Sequence, residues 1–220
     1  MTAPAAQDSW IGLDESGKGD YFGPLVIAGV RVDPDLSRQL TSLGVKDSKR
    51  LSDRRVLDLD PSIRRICRHA VVAIGPERYN ELYDKMRNLN RLLAWGHARA
   101  LENLLAEGDC PRAIADQFGD ERFIRAALMK KGGAIELVQR PRAEDDPAVA
   151  AASVVARAEF LRRLRRLSDQ YGMELPKGAS DRVVEAADRL LRERSDAELK
   201  KVAKWHFKTT RQVLKARHSH

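Results

Sequence analysis

Short apolar runs alternate along the chain with longer amphipathic stretches, and the first two runs lie close together near the N-terminus. Short runs rich in valine, isoleucine and alanine are typical of buried strands. They predict strands over Trp10–Glu15, Leu25–Val32, His69–Ile74, Arg112–Asp116 and Ala134–Gln139. The amphipathic stretches predict helices over Ser52–Cys67, Pro76–Asp84, Asn88–Glu107, Glu121–Lys130, Pro147–Asp169, Asp181–Arg194 and Asp196–Ala203. This order predicts an α/β fold, a mixed β-sheet flanked by helices, with a C-terminal helical extension.

The positive charge is concentrated at the C-terminus. The chain carries 40 Lys and Arg against 32 Asp and Glu, and residues 200–220 hold seven of the basic residues and none of the acidic ones. We therefore divide the chain into a domain over residues 9–199 and a basic C-terminal segment over residues 200–220. Trp205, His206 and Phe207 lie among these lysines, so the segment could bind a phosphate backbone and stack on bases or sugars. A solvated basic tail is the alternative, and both interpretations stay open.

Two further patterns concern the compartment. No apolar run is as long as a membrane span, and the N-terminus lacks the pattern of a secretory signal, so we expect a cytoplasmic protein with no membrane association. Cys67 and Cys110 are far apart in the sequence and lack the spacing of metal or redox sites. Two reduced, buried thiols are expected.

Acidic side chains stand where the predicted strands end. Asp14 and Glu15 close the first strand, Asp116 closes the fourth, and Glu144–Asp146 precede the longest helix. Carboxylates that are brought together repel one another unless cations lie between them. Hard divalent ions such as Mg²⁺ or Mn²⁺ prefer oxygen ligands, and two such ions ~4 Å apart can cleave a phosphodiester. The pattern therefore indicates a site for two divalent metal ions.

A glycine-rich loop separates the first two strands. Gly17 and Gly19 follow the acidic pair, but the third glycine comes one position too late for a dinucleotide fingerprint and a strand follows it. Neighbouring side chains on a strand face opposite ways, so joint ligation by Asp14 and Glu15 requires a distortion at the strand end. The two glycines make such a distortion cheap. A hairpin loop with solvated acids is the alternative.

Five blocks of the sequence resemble type 2 ribonucleases H and follow one another in the order found in that family. Within the family, the resemblance to ribonuclease HIII is the strongest. They are DESGKGDYFGPLV at 14–26, KDSKRLS at 46–52, NLNRLLAWGHARALENLL at 88–105, ADQF at 115–118 and AVAAASVVAR at 148–157. The resemblance implies a ribonuclease H-like fold with its catalytic domain over residues 9–199. It implies endonucleolytic, two-metal hydrolysis of the RNA strand of RNA–DNA hybrids, leaving 5′-phosphate and 3′-hydroxyl ends.

The resemblance also implies the residues of the site. Four carboxylates would bind the metals and act in catalysis, a loop would touch ribose 2′-hydroxyls through its backbone, and a charged turn would lie near the substrate. These residues are Asp14, Glu15, Asp116 and Glu144 for the metals, Gly17, Lys18 and Gly19 for the loop, and Lys46, Ser48 and Lys49 for the turn. Asp145 or Asp146 could take the place of Glu144, because the spacing to the next block is one residue shorter than in the related pattern.

Departures from the family pattern bear on substrate choice. Ribonuclease HIII proteins usually carry a separate N-terminal substrate-binding domain, whereas thirteen residues precede Asp14, so we expect binding to depend more on the basic C-terminal segment. Ribonuclease HII reads the RNA–DNA junction with a tyrosine in a Lys-Gly-Tyr segment, and the matching stretch is Lys177–Ala179. We therefore expect cleavage within runs of ribonucleotides.

Some interpretations stay open. Junction cleavage at embedded ribonucleotides, a DNA-processing nuclease and a non-catalytic hybrid-binding module are the alternative functions. We interpret His97 as a packing histidine and His206 as a candidate substrate contact. A monomer is expected.

Overall fold

The computed structural model describes residues 8–117, 119, 121–128 and 135–218. Among them, five strands form one mixed sheet in the order β3-β2-β1-β4-β5. The strands are β1 Trp10–Ser16, β2 Leu25–Val32, β3 Arg68–Ile74, β4 Arg112–Asp116 and β5 Glu136–Arg140. The helices of the described residues are α1 Pro34–Ser42, α2 Asp53–Ile66, α3 Pro76–Met86, α4 Leu89–Ala106, α5 Glu121–Ala127, α6 Pro147–Tyr171, α7 Asp181–Glu193, α8 Asp196–Val202 and α9 Lys208–His218.

The register of the sheet places the acidic strand ends side by side. β1 runs antiparallel to β2 and parallel to β4, and β4 runs parallel to β5. The last residue pair between β1 and β4 joins Leu13 to Ala115. Asp14 and Asp116 each follow this pair by one residue, so the two carboxyl groups leave neighbouring parallel strands at the same edge of the sheet.

The chain divides into two units. The first contains the described residues up to Ser16 together with Val26–Val72 and Asn88–Ala158, and the second contains Gly17–Leu25, Ala73–Arg87 and Glu159–His220. All four predicted metal-binding carboxylates belong to the first unit, and the predicted 2′-hydroxyl loop belongs to the second.

In the first unit, two helices approach the central strands on opposite faces. A Cβ atom on Gly12 would lie 2.1 Å from the carbonyl carbon of Ala148 at the start of α6, which is too close for any side chain. A Cβ atom on Gly96 of α4 would lie 2.5 Å from a side-chain carbon of Ile27. Gly12 and Ile27 face opposite sides of the sheet, because Ile27 pairs with Glu15 and strand side chains alternate. These glycines therefore allow close contact at both faces.

In the second unit, α7 contacts α8 and α9, and α3 contacts α8. The inner face of α7 is formed by Val183, Ala187, Leu190 and Leu191, which recur at helical spacing and are buried. Phe22 forms a β-bridge with Ala203, so the N-terminal loop and the C-terminal segment belong to one packed structure.

The described parts of the predicted strands and helices are observed, β2 and β4 with the predicted ends and the others with shifted ends. Lys130 and Ala134 lie outside the described residues. Two observed helices were not predicted. α1 begins at Pro34, and the Asp33 side chain accepts a hydrogen bond from the Leu36 amide, so its Asp-Pro start signal was present in the sequence. α9 occupies the basic C-terminal segment.

The interpretation of that segment as a solvated tail is wrong as far as Val213. Lys204, Thr209, Thr210 and Val213 are buried. The predicted domain boundary at residues 199 and 200 falls inside α8 and stays a prediction. Cys67 and Cys110 are free and buried, as expected. The helices in the described part of the chain include no candidate membrane span.

Candidate active site

Asp14 is a buried carboxylate at the end of β1, with 7% of its surface exposed. Its side chain interacts with the Ser153 hydroxyl and accepts a hydrogen bond of 2.8 Å from the Glu15 amide. Burial and the charges of Glu15 and Asp116 raise the pKa of Asp14 to about 8, against the weaker effect of those hydrogen bonds. Without a cation, Asp14 is therefore mostly protonated at neutral pH.

Glu15 lies on the opposite face of β1. β1 pairs with β2 in regular register through Ser16, so no bulge separates the two acidic residues, and their joint ligation of a cation stays a prediction. Asp14 faces Ser153 on α6, whereas the Glu15 carboxylate accepts a hydrogen bond of 3.0 Å from Nε2 of His97 on α4. His97 is fully buried. The histidine interpreted as a packing residue therefore holds a predicted metal ligand.

Asp116 is the last residue of β4, and Glu144 lies in the turn between β5 and α6. One Asp116 carboxylate oxygen accepts a hydrogen bond of 3.2 Å from the Ala143 amide, which opens the 3₁₀ turn Ala143–Asp145. The Oε2 atom of Glu144, in the same turn, is buried and has no hydrogen-bond partner among the described residues. A buried carboxylate oxygen without a partner is costly unless a ligand satisfies it.

The two neighbouring acids are occupied elsewhere. Asp145 forms an ion pair with Arg140, whose hydrogen bond lowers the pKa of the Asp145 carboxyl group. Asp146 caps α6 by accepting hydrogen bonds from the amides of Ala148 and Val149, and it also accepts one from the Trp10 indole at 3.0 Å. Of the three candidates for the fourth carboxylate, Glu144 is the one with an unsatisfied oxygen.

The predicted charged turn forms a 3₁₀ helix over Ser48–Arg50. The Ser48 and Ser153 hydroxyls are hydrogen-bonded at 2.7 Å, and Arg157 donates to the backbone carbonyl of Ser48. Ser48 is therefore linked through Ser153 to Asp14. Lys46 is exposed, and among the described residues no hydrogen bond or ion pair joins it to the carboxylates.

Lys49 is the cation associated with the acidic cluster. Burial by itself would lower the pKa of its ammonium group, but the negative charges of Asp14, Asp47, Glu144 and Asp116 outweigh that effect and raise the pKa. Lys49 therefore stays protonated and partly balances the carboxylates.

The four carboxylates form a donor set for hard cations, although within the described ranges no three acidic, histidine or cysteine side chains are already arranged to hold a metal ion. The residues fit such a group on two observations: the orphaned oxygen of Glu144 and the raised pKa of Asp14. A bound divalent cation would give the Glu144 oxygen a partner and would stabilise the ionised form of Asp14.

In the second unit, Gly17 and Gly19 have different surroundings. Gly17 is buried with φ +87°, and an added Cβ would lie 2.2 Å from the carbonyl oxygen of Pro24, so only glycine fits. Gly19 is exposed, and an added Cβ would meet nothing within 4 Å. The half-buried Lys18 stands between them. The exposed backbone at Gly19 is open to a ligand.

His206 belongs to an aromatic cluster of the second unit. Its ring stacks on Tyr83 at 3.9 Å and on Tyr79 at 5.6 Å, and Phe207 meets its edge at 4.8 Å. Burial and the nearby Lys204 lower the pKa of His206. The contacts of this candidate substrate residue are therefore packing contacts, as are those of Phe207.

Sequence reasoning missed His97 and Ser153 as partners of the carboxylates. His97 is the residue after Gly96, whose missing side chain lets α4 approach β2, and Ser153 is the one polar residue in the apolar run Ala148–Ala156. A polar residue at a position of close packing was the available signal in both cases.

The model of the ribonuclease HII family matches residues 11–210. Ribonuclease HIII of Protochlamydia amoebophila is 47% identical over 204 residues, which cover 93% of this chain and 68% of that protein. Ribonuclease HIII of Chlamydia trachomatis serovar L2 is 46% identical over 209 residues, covering 94% of this chain and 70% of that protein.

The crystal structure of Bst-RNase HIII in complex with Mn²⁺ superposes with a TM-score of 0.90 at 34% identity. It covers 99% of this chain and 72% of that one. These similarities confirm the family and fold class expected from the sequence. The chain therefore belongs to the ribonuclease HII family and is a ribonuclease H.

Proposed function

We propose that the protein hydrolyses the RNA strand of RNA–DNA hybrids with two divalent cations held by Asp14, Glu15, Asp116 and Glu144, leaving 5′-phosphate and 3′-hydroxyl ends. The observation that carries the proposal is the buried, unpartnered oxygen of Glu144 beside the turn that Asp116 contacts. The Mn²⁺ in the crystal structure of Bst-RNase HIII supports the choice of a hard divalent cation.

When bound, the cations would lower the pKa of the attacking water and stabilise the leaving oxygen. The chain's own residues set the geometry of the ligands. Ser153, held by Ser48, orients Asp14, and His97 fixes one oxygen of Glu15. The Ala143 amide fixes one oxygen of Asp116. These hydrogen bonds leave further carboxylate oxygens to face a cation.

Lys49 would act on the substrate rather than on the metals. Its ammonium group is kept protonated by the surrounding carboxylates and is exposed, so it can meet the phosphate next to the cleaved bond. Lys46, which is also exposed, would contact the phosphate backbone of the substrate further from the cleaved bond. Ser48 is buried and hydrogen-bonded, which supports an orienting role.

The substrate preference would come from the loop Gly17–Gly19. Its exposed backbone at Gly19 can hydrogen-bond to ribose 2′-hydroxyls, which distinguish RNA from DNA. The residue after Gly178 is Ala179, whose methyl group cannot stack on a deoxyribose as a tyrosine ring would. We infer that several consecutive ribonucleotides are needed for recognition.

The test compares cleavage of an RNA–DNA hybrid, a DNA duplex with one ribonucleotide and an all-DNA duplex, each in Mg²⁺ and in Mn²⁺. We expect cleavage of the hybrid, little at the single ribonucleotide and none of DNA. Glu144→Gln should lower the rate on the hybrid by at least about 100-fold, because loss of even an outer-shell partner of a metal costs 10–100-fold.

Asp145→Asn removes the same charge one residue away and is the matched control, expected to cut at close to the wild-type rate. Equal losses in Glu144→Gln and Asp145→Asn would contradict the assignment of Glu144. Comparable rates at a single ribonucleotide and in the hybrid would instead indicate a junction-cleaving enzyme.

A further inference from the structure

Lys204 is a lysine whose side chain is fully buried in the second unit. Its ammonium nitrogen donates hydrogen bonds to two backbone carbonyls, those of Asp20 at 2.7 Å and Gly23 at 2.8 Å. Both carbonyls belong to the loop that contains Gly17–Gly19. The ring of Tyr79 lies 5.6 Å from the same nitrogen.

The backbone of this segment holds the same loop. The Lys204 amide donates to the carbonyl of Tyr21 at 2.9 Å, and the Gly23 amide donates to the carbonyl of Val202 at 2.8 Å. Together with the two bonds of the ammonium group, every backbone carbonyl of residues 20, 21 and 23 is bound by Lys204.

Burial of this ammonium group is unfavourable in itself. Desolvation lowers the pKa of Lys204 to about 7, against the opposing effect of the Asp20 carboxylate. An apolar side chain in its place would avoid this cost but would leave the two carbonyls without a donor. The lysine is therefore explained by the conformation that it imposes on the loop.

The loop is also tied from a second side. The Tyr21 amide donates to the carbonyl of Gly178 at 2.9 Å, and the Gly178 amide donates to the Asp20 carboxylate at 2.7 Å. Residues 20–23 are thus fixed, while residues 17–19 extend from them to the exposed backbone at Gly19. A fixed base is what a loop needs if its backbone groups are to meet a ligand in one orientation.

We propose that Lys204 is a positioning residue for substrate recognition: it sets the backbone of the loop Gly17–Gly23 for contact with ribose 2′-hydroxyls without touching the substrate itself. This inference rests on the function proposed above for that loop. It assigns to the C-terminal segment a role in selecting RNA that is separate from any general attraction of its positive charges for phosphate.

The test uses Lys204→Met, which gives a side chain of similar length without the hydrogen-bond donors. The matched control is Lys85→Met on α3, which removes the same charge from an exposed position. Dissociation constants are measured for the hybrid and for a DNA duplex of the same sequence. Lys204→Met should weaken hybrid binding roughly tenfold or more, because a misplacement of about 1 Å in a recognition group costs up to ~100-fold. Binding to the DNA duplex should stay within about twofold, as should both affinities of Lys85→Met.

Amide hydrogen exchange provides a readout that does not depend on the substrate. In Lys204→Met, exchange at the amides of Gly23 and residue 204 should accelerate about tenfold or more, while amides of β1 such as Leu13 keep their wild-type rates. Unchanged exchange in the loop, or an equal acceleration throughout the chain, would overturn the inference, as would equal weakening of hybrid and DNA binding.

Two further outcomes are informative. If Lys204→Met does not fold, wild-type exchange is the test: the amides of Tyr21, Gly23 and Lys204 should open together at one rate, and widely different rates would overturn the inference. If the wild-type protein shows no preference for the hybrid over DNA, the proposed function of the loop fails, whereas the exchange result still tests the effect of Lys204 on its conformation.

Discussion

Each unit buries an ionisable side chain, and the surroundings of that side chain differ between the two units. In the first unit, Asp14 is buried beside Glu15 and Asp116, so its pKa rises to about 8. In the second unit, Lys204 is buried against backbone carbonyls that accept its hydrogen bonds. In the cluster of carboxylates, the Oε2 atom of Glu144 has no hydrogen-bond partner among the described residues, whereas the ammonium group of Lys204 donates hydrogen bonds to two carbonyls. An unsatisfied buried charge indicates a ligand site, and a satisfied one indicates a structural role.

The largest effect is expected for Asp14→Asn. Loss of a metal-binding carboxylate should lower cleavage of the hybrid by at least about 100-fold. In metal-free protein, the folded-state pKa of about 8 lies above the ordinary aspartate value of 3.8, so the unfolded state releases its proton first. Wild-type stability should therefore fall as pH rises from about 4 to 8.

Urea unfolding in EDTA at pH 5 and pH 8 measures this pH dependence. Asp14→Asn should abolish the fall, which amounts to a few kcal/mol, since one pKa unit corresponds to about 1.4 kcal/mol. If Asp14→Asn shows the same fall in stability as the wild type, Asp14 is not the group whose burial makes the stability depend on pH.

A smaller effect is expected for His97, whose ring holds Glu15. His97→Leu removes the donor and should weaken Mn²⁺ binding, measured by calorimetry, by roughly 10–100-fold, as for other outer-shell partners of metals. His97→Gln keeps an amide donor near the position of Nε2 and should retain most of the affinity. If His97→Leu binds Mn²⁺ as the wild type does, the histidine only packs.

The smallest effect on substrate binding is expected in the loop Gly17–Gly19 of the second unit. Gly17 and Gly19 serve there as controls for each other. Gly19→Ala meets no atom within 4 Å, so the free energy of unfolding should change by less than about 0.5 kcal/mol. Hybrid affinity should nevertheless fall by about tenfold if ribose approaches this backbone closely.

Gly17→Ala should instead destabilise the protein, because its φ of +87° and the Pro24 oxygen exclude a side chain. Urea unfolding and hybrid binding of both variants separate the two cases. Unchanged hybrid affinity in Gly19→Ala would show that the substrate does not approach there.

Much of the fold could be predicted from the sequence because the strands are short, apolar and bounded by acidic or glycine residues. Asp14 and Asp116 were recognisable as strand-end acids, and their meeting at one edge follows from the parallel pairing of β1 with β4. The fourth carboxylate was assigned to Glu144 from the resemblance, with Asp145 and Asp146 left open as alternatives. The contacts that separate these acids are the ion pair of Asp145 with Arg140 and the hydrogen bond of Asp146 with Trp10, which is 136 positions away in the sequence.

The order of the strands, the acidic strand ends and the family follow from the sequence, because they depend on local pattern and on contiguous motifs. The partners of those residues follow from the fold. His97 and Glu15 are 82 positions apart, and Lys204 and Asp20 are 184 positions apart. The sequence pattern of a basic segment is compatible with a solvated tail, but the fold places Lys204 among buried carbonyls. The free-energy cost of burying a charge depends on the acceptors that packing brings to it.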